Sequence, residues 1–146
     1  MPKALIVFAT RSGETQKIAE YIAEGIRFSG AEAVMVNAAQ IKNEQEMEGY
    51  DAYVFGSPTY HGDMVQAVKN VLFTAAKLNL EGKPGGAFGA FGWSGEACDR
   101  VYDTMTNIFK MDMVGSPLRL KSALLQGGMQ MAQDYGRAVG KKMVGE

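Results

Sequence analysis

Ala4-Leu5-Ile6-Val7-Phe8-Ala9-Thr10-Arg11-Ser12-Gly13-Glu14-Thr15 is the stretch that decides the architecture. Its first six residues are an unbroken apolar run, the pattern of a strand buried on both faces. From Glu14 the period changes. Ile18, Ile22 and Ile26 recur every four residues with Lys17, Glu20, Glu24 and Arg27 opposite, which predicts an amphipathic helix. Short hydroxyl side chains and a glycine therefore lie at a strand-to-helix junction. The first N–H groups of a helix have no intrahelical acceptor and attract an anion. Gly13 lets the backbone close in, Thr10, Ser12 and Thr15 add hydroxyl donors, and Arg11 and Glu14 flank the site through their backbone. Residues 10–15 are thus read as a phosphate cradle. The loop lacks the Lys that follows the second glycine of an ATP or GTP loop, which argues against nucleotide triphosphate hydrolysis.

Strand and helix patterns alternate outward from this segment. Further strands are expected at Ala33-Val34-Met35-Val36, Ala52-Tyr53-Val54-Phe55-Gly56, Ala87-Phe88-Gly89-Ala90-Phe91 and around Leu118-Arg119-Leu120-Lys121-Ser122. Helical stripes run through Val65, Val68, Leu72 and Ala76, through Ala97, Val101, Met105 and Ile108, and through Met129, Ala132, Gly136, Val139 and Met143. A short helix is also expected within 38–48. Such alternation predicts a parallel sheet with right-handed crossovers and helices on both faces. No linker, repeat or low-complexity block divides residues 1–146, so a single α/β domain is expected. In such sheets a ligand sits beyond the carboxyl ends of the strands, where the strand order reverses. The loops after the first, third and fourth strands are therefore the candidate site.

Composition narrows the function classes. The 146 residues are 47% hydrophobic, enough for one core, and the formal net charge is -1. Nucleic-acid binding needs a concentrated basic face, which this balance argues against. No apolar run reaches the roughly 18 residues that span a bilayer. The first strand begins almost at once, so no secretory signal and a cytoplasmic location are expected. Cys98 is the only cysteine and His61 the only histidine. An intrachain disulfide, a cysteine-based zinc site and a multi-histidine metal site are all excluded, and no metal is expected.

The other two loops are Gly56-Ser57-Pro58-Thr59-Tyr60-His61-Gly62-Asp63-Met64 and Gly92-Trp93-Ser94-Gly95-Glu96-Ala97. One aromatic residue in each suits a flat ring system held between Tyr60 and Trp93, with ring centres some 4.5–7 Å apart. Glycines beside the aromatics let backbone groups reach the ring edge. At these residues the chain resembles short-chain flavodoxins and the flavodoxin-like domain of flavodiiron proteins. Residues 10–15 resemble the flavodoxin phosphate loop T-x-[ST]-G-x-T. The third loop and Pro117-Leu118-Arg119-Leu120-Lys121 look like the flavodiiron type, whereas the second loop is nearer to flavodoxin-like quinone reductases. It has one residue more between Thr59 and Gly62 than the common flavodoxin form, which leaves open whether Tyr60 or His61 faces the ring.

The resemblance implies a three-layer sandwich with a five-stranded parallel sheet of order 2-1-3-4-5, and FMN as cofactor. The implied FMN-binding residues are Thr10, Arg11, Ser12, Gly13, Glu14, Thr15, Pro58, Thr59, Tyr60, His61, Gly62, Phe91, Gly92, Trp93 and Gly95. It further implies a flavodoxin that shuttles single electrons between redox proteins, a donor reductase and an acceptor enzyme docking transiently at the flavin edge. Such a chain is a monomeric electron carrier with no catalytic residue of its own. The alternative is an NAD(P)H-dependent quinone or flavin reductase, although such relatives are usually longer. A phospho-receiver of the same architecture needs acidic residues after the first strand, where Thr10, Arg11 and Ser12 stand. Glu14, Asp63, Glu96 and Asp99, set against Arg11 and His61, predict a local negative surplus that disfavours the fully reduced flavin. Cys98 reads as a small buried hydrophobe, and Gly85, Gly86 and Gly89 as points of close helix approach.

Overall fold

Strand β1 (Lys3–Phe8) divides the core in two by simple alternation of its side chains. Ala4, Ile6 and Phe8 face one layer, with Ile18, Ile22 and Ile26 of α1 (Glu14–Phe28) and Ala132 and Val139 of α4 (Gly128–Val144). Leu5, Val7 and Ala9 face the other, with Val68, Val71, Leu72 and Ala75 of α2 (Gln66–Ala75) and Ala97, Val101 and Met105 of α3 (Glu96–Asn107). The computed structural model describes residues 2–9, 13–60, 63–90, 96–120 and 127–145, and of Tyr60 the backbone alone.

The sheet runs β2 (Glu32–Asn37), β1, β3 (Ala52–Gly56), β6 (Pro84–Ala90), every pair parallel. Between β3 and β6 lies a separate antiparallel pair, β4 (Thr59–Tyr60) with β5 (Asp63–Met64). The fifth position is shared by two short strands, β7 (Asp112–Met113) and β8 (Leu118–Leu120), each parallel to β6. The expected order 2-1-3-4-5 and the helices on both faces are therefore present, with six strands in five positions. Only the β8 half was anticipated, because β7 is too short to leave an alternation. The 38–48 segment forms two 3₁₀ turns, Ala38–Gln40 and Glu44–Met47, capped by Asn37 and Asn43. Ile108, expected on the buried face of α3, is 68% exposed because the helix has already ended at Asn107; Phe109 turns inward instead.

The break in the fifth strand is filled from α4. β7 pairs with β6 at Pro84 and Gly85, β8 pairs with it at Phe88, Gly89 and Ala90, and Ala87 lies between. The Tyr135 hydroxyl accepts from Ala87 N–H at 2.9 Å and donates to Ala87 C=O at 3.1 Å, taking the place of a strand residue. Burial pushes its pKa well above the usual phenol value. A Cβ at Gly86 would lie 2.9 Å from the Tyr135 ring, so this glycine admits the tyrosine. Gly85 instead leaves room for Met113, Met105 and Met111, and Gly89 for the backbone of Ser57. On the same layer α1 and α4 touch through their backbones. A Cβ on Gly25 would stand 2.0 Å from Gln133 O, and one on Gly136 2.1 Å from Ile22 O.

Removing the Tyr135 hydroxyl leaves both backbone groups of Ala87 without that partner. Tyr135→Phe is expected to destabilise the fold by about 1–3 kcal/mol, the cost of an unsatisfied buried polar group. Urea unfolding measures it as a lower midpoint at unchanged slope. An unchanged midpoint would show that Ala87 finds another partner.

Candidate functional site

Three adjacent strands, β1, β3 and β6, end together at the carboxyl edge. The ladder continues one residue past the first two: Ala9 N–H donates to Gly56 O at 3.2 Å, and Ser57 N–H to Phe88 O at 3.2 Å. The three loops singled out above thus leave the sheet side by side. The chain passes from β1 outward to β2 and then back across to β3, so the strand order reverses at this edge.

Of the first loop, Thr10, Arg11 and Ser12 lie outside the described residues. Gly13 is the N-cap of α1 with φ +89°, a left-handed conformation that favours glycine, and the space beside its α-carbon is open. A glycine brings no side chain to the first-turn N–H groups, and α1 is fifteen residues long. This local geometry suits a terminal phosphate. Thr15 is buried. Glu14 works against the fit: its Oε2 is buried without a hydrogen-bond partner among the described residues. The helix N-terminus steadies that negative charge, and a phosphate at the same end would have to share it.

The second loop is a hairpin, which the sequence reading did not anticipate. Thr59 pairs with Met64 and Tyr60 with Asp63, leaving His61 and Gly62 between, both outside the described residues along with the Tyr60 side chain. A two-residue connection ending in glycine between β-forming residues is the signal that was available. Ser57 closes the base, its Oγ accepting from Val65 N–H at 3.1 Å and donating to Pro58 O at 2.9 Å. Thr59 Oγ1 accepts from Ala97 N–H at 3.2 Å, at the start of α3. Asp63 meets Lys69 Nζ of α2 at 2.8 Å and Arg100 Nε of α3 at 3.6 Å. The Lys69 ammonium, with help from Met64 N–H, holds the Asp63 carboxyl below the ordinary carboxylate value. Because its pKa is depressed, these pairs are intact through the neutral range and are lost only as pH falls through that lowered value.

Of the third loop, Phe91, Gly92, Trp93 and Gly95 lie outside the described residues, between the end of β6 and the first turn of α3. The charges nearby differ from the expectation. Asp63 carries two cationic partners, and Asp99 is ion-paired to Arg119. Two of the four carboxylates counted as a negative surplus are therefore offset by cationic partners on α2, α3 and β8. Lys69, Arg100 and Arg119 were not set against these carboxylates because pairing between separate elements leaves no sign in the sequence.

The match to known proteins follows the same outline. A family model described as a flavodoxin domain matches residues 5–120. The chain belongs to the flavodoxin family. This flavodoxin-family chain is 28% identical over 148 residues to the rubredoxin-oxygen oxidoreductase of Megalodesulfovibrio gigas, a match that covers 97% of the chain and 37% of that protein. It is 34% identical over 89 residues to a flavodoxin of Clostridium saccharobutylicum, covering 59% of the chain and 54% of that protein. Among solved structures, an archaeal flavodoxin superposes with a TM-score of 0.90 at 27% identity, covering 97% of this chain and 99% of its own. A flavodiiron protein from Giardia intestinalis superposes with a TM-score of 0.90 at 26% identity, covering 98% of this chain but 36% of its own. The chain thus spans 37% of the curated oxidoreductase that it matches over nearly its whole length.

Cys98 lies on α3 behind the third loop. It is 1% exposed, its thiol points to Leu118 O at 3.4 Å, and burial, with Asp99 adding to it, pushes its pKa up to about 12. The thiolate is the reactive form. The folded flavodoxin domain is therefore expected to resist a thiol reagent at pH 8 and to react promptly once unfolded in denaturant. Fast labelling of the native protein would show that α3 opens.

Proposed function

We propose that this chain binds FMN across its three carboxyl-edge loops and carries electrons singly between redox proteins. Membership of the flavodoxin family, together with three loops brought side by side at the strand-order reversal, is what supports this reading. The family is itself an instance of the rule that ligands sit at such switch points. Bound FMN supplies one-electron chemistry, and the chain supplies binding, shielding and local charge.

In this proposal Thr10, Arg11, Ser12, Gly13, Glu14 and Thr15 surround the phosphate. Pro58, Thr59 and Gly62, with Phe91, Gly92 and Gly95, bring backbone to the ring edge, while Tyr60 or His61 on one side and Trp93 on the other flank its faces. No residue acts as an acid or base catalyst. The chain, as one domain over residues 1–146, works as a cytoplasmic monomer that docks its partners at the exposed flavin edge. No described helix is long and apolar enough to cross a membrane. Its charge, near neutrality, makes steering of strongly basic partners weak. An electron carrier of this kind is expected to show no NADPH oxidation with a quinone acceptor; rapid turnover would favour the reductase alternative.

Calorimetric titration of the apoprotein tests the cofactor directly. FMN is expected to bind more tightly than riboflavin, because riboflavin leaves the cradle at Gly13 without an anion. Equal affinities would sink the phosphate assignment. Glu14 gives the test a second arm. Unit charges several Å apart at an effective dielectric near 20 interact by about 1–3 kcal/mol. Glu14→Gln is therefore expected to tighten FMN about tenfold while leaving riboflavin unchanged. A weaker grip on FMN would show that the carboxylate helps to hold the ligand.

A further inference from the structure

The β4–β5 hairpin is too short to hold its own shape. Two residue pairs make it, and an isolated hairpin of that size is marginal in water. Its position is determined by side chains that reach other elements. From β4, Thr59 Oγ1 accepts the Ala97 N–H at 3.2 Å. That N–H belongs to the first turn of α3, where backbone donors have no intrahelical acceptor, and its cap comes from a residue 38 positions earlier. From β5, Asp63 reaches Arg100, one turn further along α3, and Lys69 on α2. Both hairpin strands are thus tied to the helix that follows the third loop, one by a part-buried hydrogen bond and one by an ion pair.

The base of the hairpin is fixed as well. Ser57 O lies 2.4 Å from where a Cβ on Gly89 would stand, so the second loop leaves β3 in contact with β6. Ser57 Oγ then holds Val65 N–H at the far end of the hairpin. The entry to the third loop through β6 and the exit from it through α3 are therefore both attached to the second loop.

We propose that Thr59 and Asp63 are positioning residues that couple the second loop to α3 and so set the separation of the two sides of the flavin-ring site. The inference rests on the FMN reading above. Neither residue needs to touch the ring for this. Stacking depends on a fixed distance between two faces, and two separately mobile loops would have to be ordered at each binding event. Joining them beforehand, through the Thr59–Ala97 hydrogen bond and the Asp63–Arg100 ion pair, places that ordering in the folding of the apoprotein.

The test uses the full chain as apoprotein, titrated with FMN and with riboflavin, and the visible circular dichroism of the bound flavin. Thr59→Val is expected to weaken both ligands by the same factor, about tenfold, the change in Kd equivalent to losing one helix cap. The ratio of the two affinities stays that of the parent, and the bound flavin's dichroism changes. Thr59→Ser, which keeps the hydroxyl, restores both. Should Thr59→Val fail to fold, Arg100→Gln replaces an exposed side chain and cuts only the Asp63 tie to α3. It is expected to weaken both ligands by about twofold to threefold, a share in keeping with an exposed ion pair. Parent-like affinity and dichroism in Thr59→Val, or in Arg100→Gln where it stands in, would overturn the coupling and leave the FMN reading intact. A loss confined to FMN would overturn it too, by placing the effect at the phosphate. Failure of the parent itself to bind either flavin would overturn the FMN reading and this inference with it.

Discussion

Two hydrogen bonds at the end of the sheet bring the three carboxyl-edge loops side by side. Ala9 N–H to Gly56 O and Ser57 N–H to Phe88 O carry the parallel ladder one residue beyond the ends of β1 and β3. They force three loops, which begin near residues 10, 57 and 91, to start within neighbouring strand spacings of one another. Gly56 and Gly89 serve that geometry. Gly56 lies under the Phe88 ring, whose atoms would be 2.3 Å from an added Cβ, and Gly89 lies against Ser57 O. Gly89, read from the sequence as a point of close helix approach, is instead a contact with the backbone that leaves β3.

The electrostatics of the site follow from tertiary pairing more than from composition. Asp63 and Asp99 sit in or beside the loops, yet Lys69, Arg100 and Arg119 answer them from α2, α3 and β8. Glu14 differs, since its Oε2 is buried with no hydrogen-bond partner among the described residues. Exposed ion pairs contribute little to stability, typically 0–1 kcal/mol. Their effect on a bound redox group is different in kind, because three cations set against two carboxylates turn the local negative charge of Asp63 and Asp99 into a small positive surplus.

The fold was legible wherever residue period carried the information. Ile18, Ile22 and Ile26 marked α1, and the apolar runs 4–9 and 52–56 marked strands buried on both faces. What period could not show was structure made by single long-range contacts. β7 has two residues and leaves no pattern. Ile108 continued the helical spacing in sequence but lay past the end of the helix. The β4–β5 hairpin was hidden inside a stretch read as one loop, although its Gly62 was a usable sign. Next to the candidate site, the start of α1 at Gly13 was readable because a helix start has a local signature. The ties of Thr59 to Ala97 and of Asp63 to Arg100 were not, since no local rule links residues nearly forty positions apart.

The Tyr135 hydroxyl in the gap of the fifth strand also constrains the order of events during synthesis. As the chain emerges vectorially from the ribosome, β6 can meet β3, but Ala87 has no partner until the segment carrying residue 135 follows. The same wait applies to α1, whose isoleucine face and Gly25 are matched by Ala132, Gly136 and Val139 near the other end of the chain. Until residues 132–139 follow, only the part of α1 that meets α4 stays uncovered, since Ala4, Ile6 and Phe8 of β1 already lie against its isoleucines. Contacts of such long separation form slowly, and apolar surface exposed in that interval is prone to aggregate.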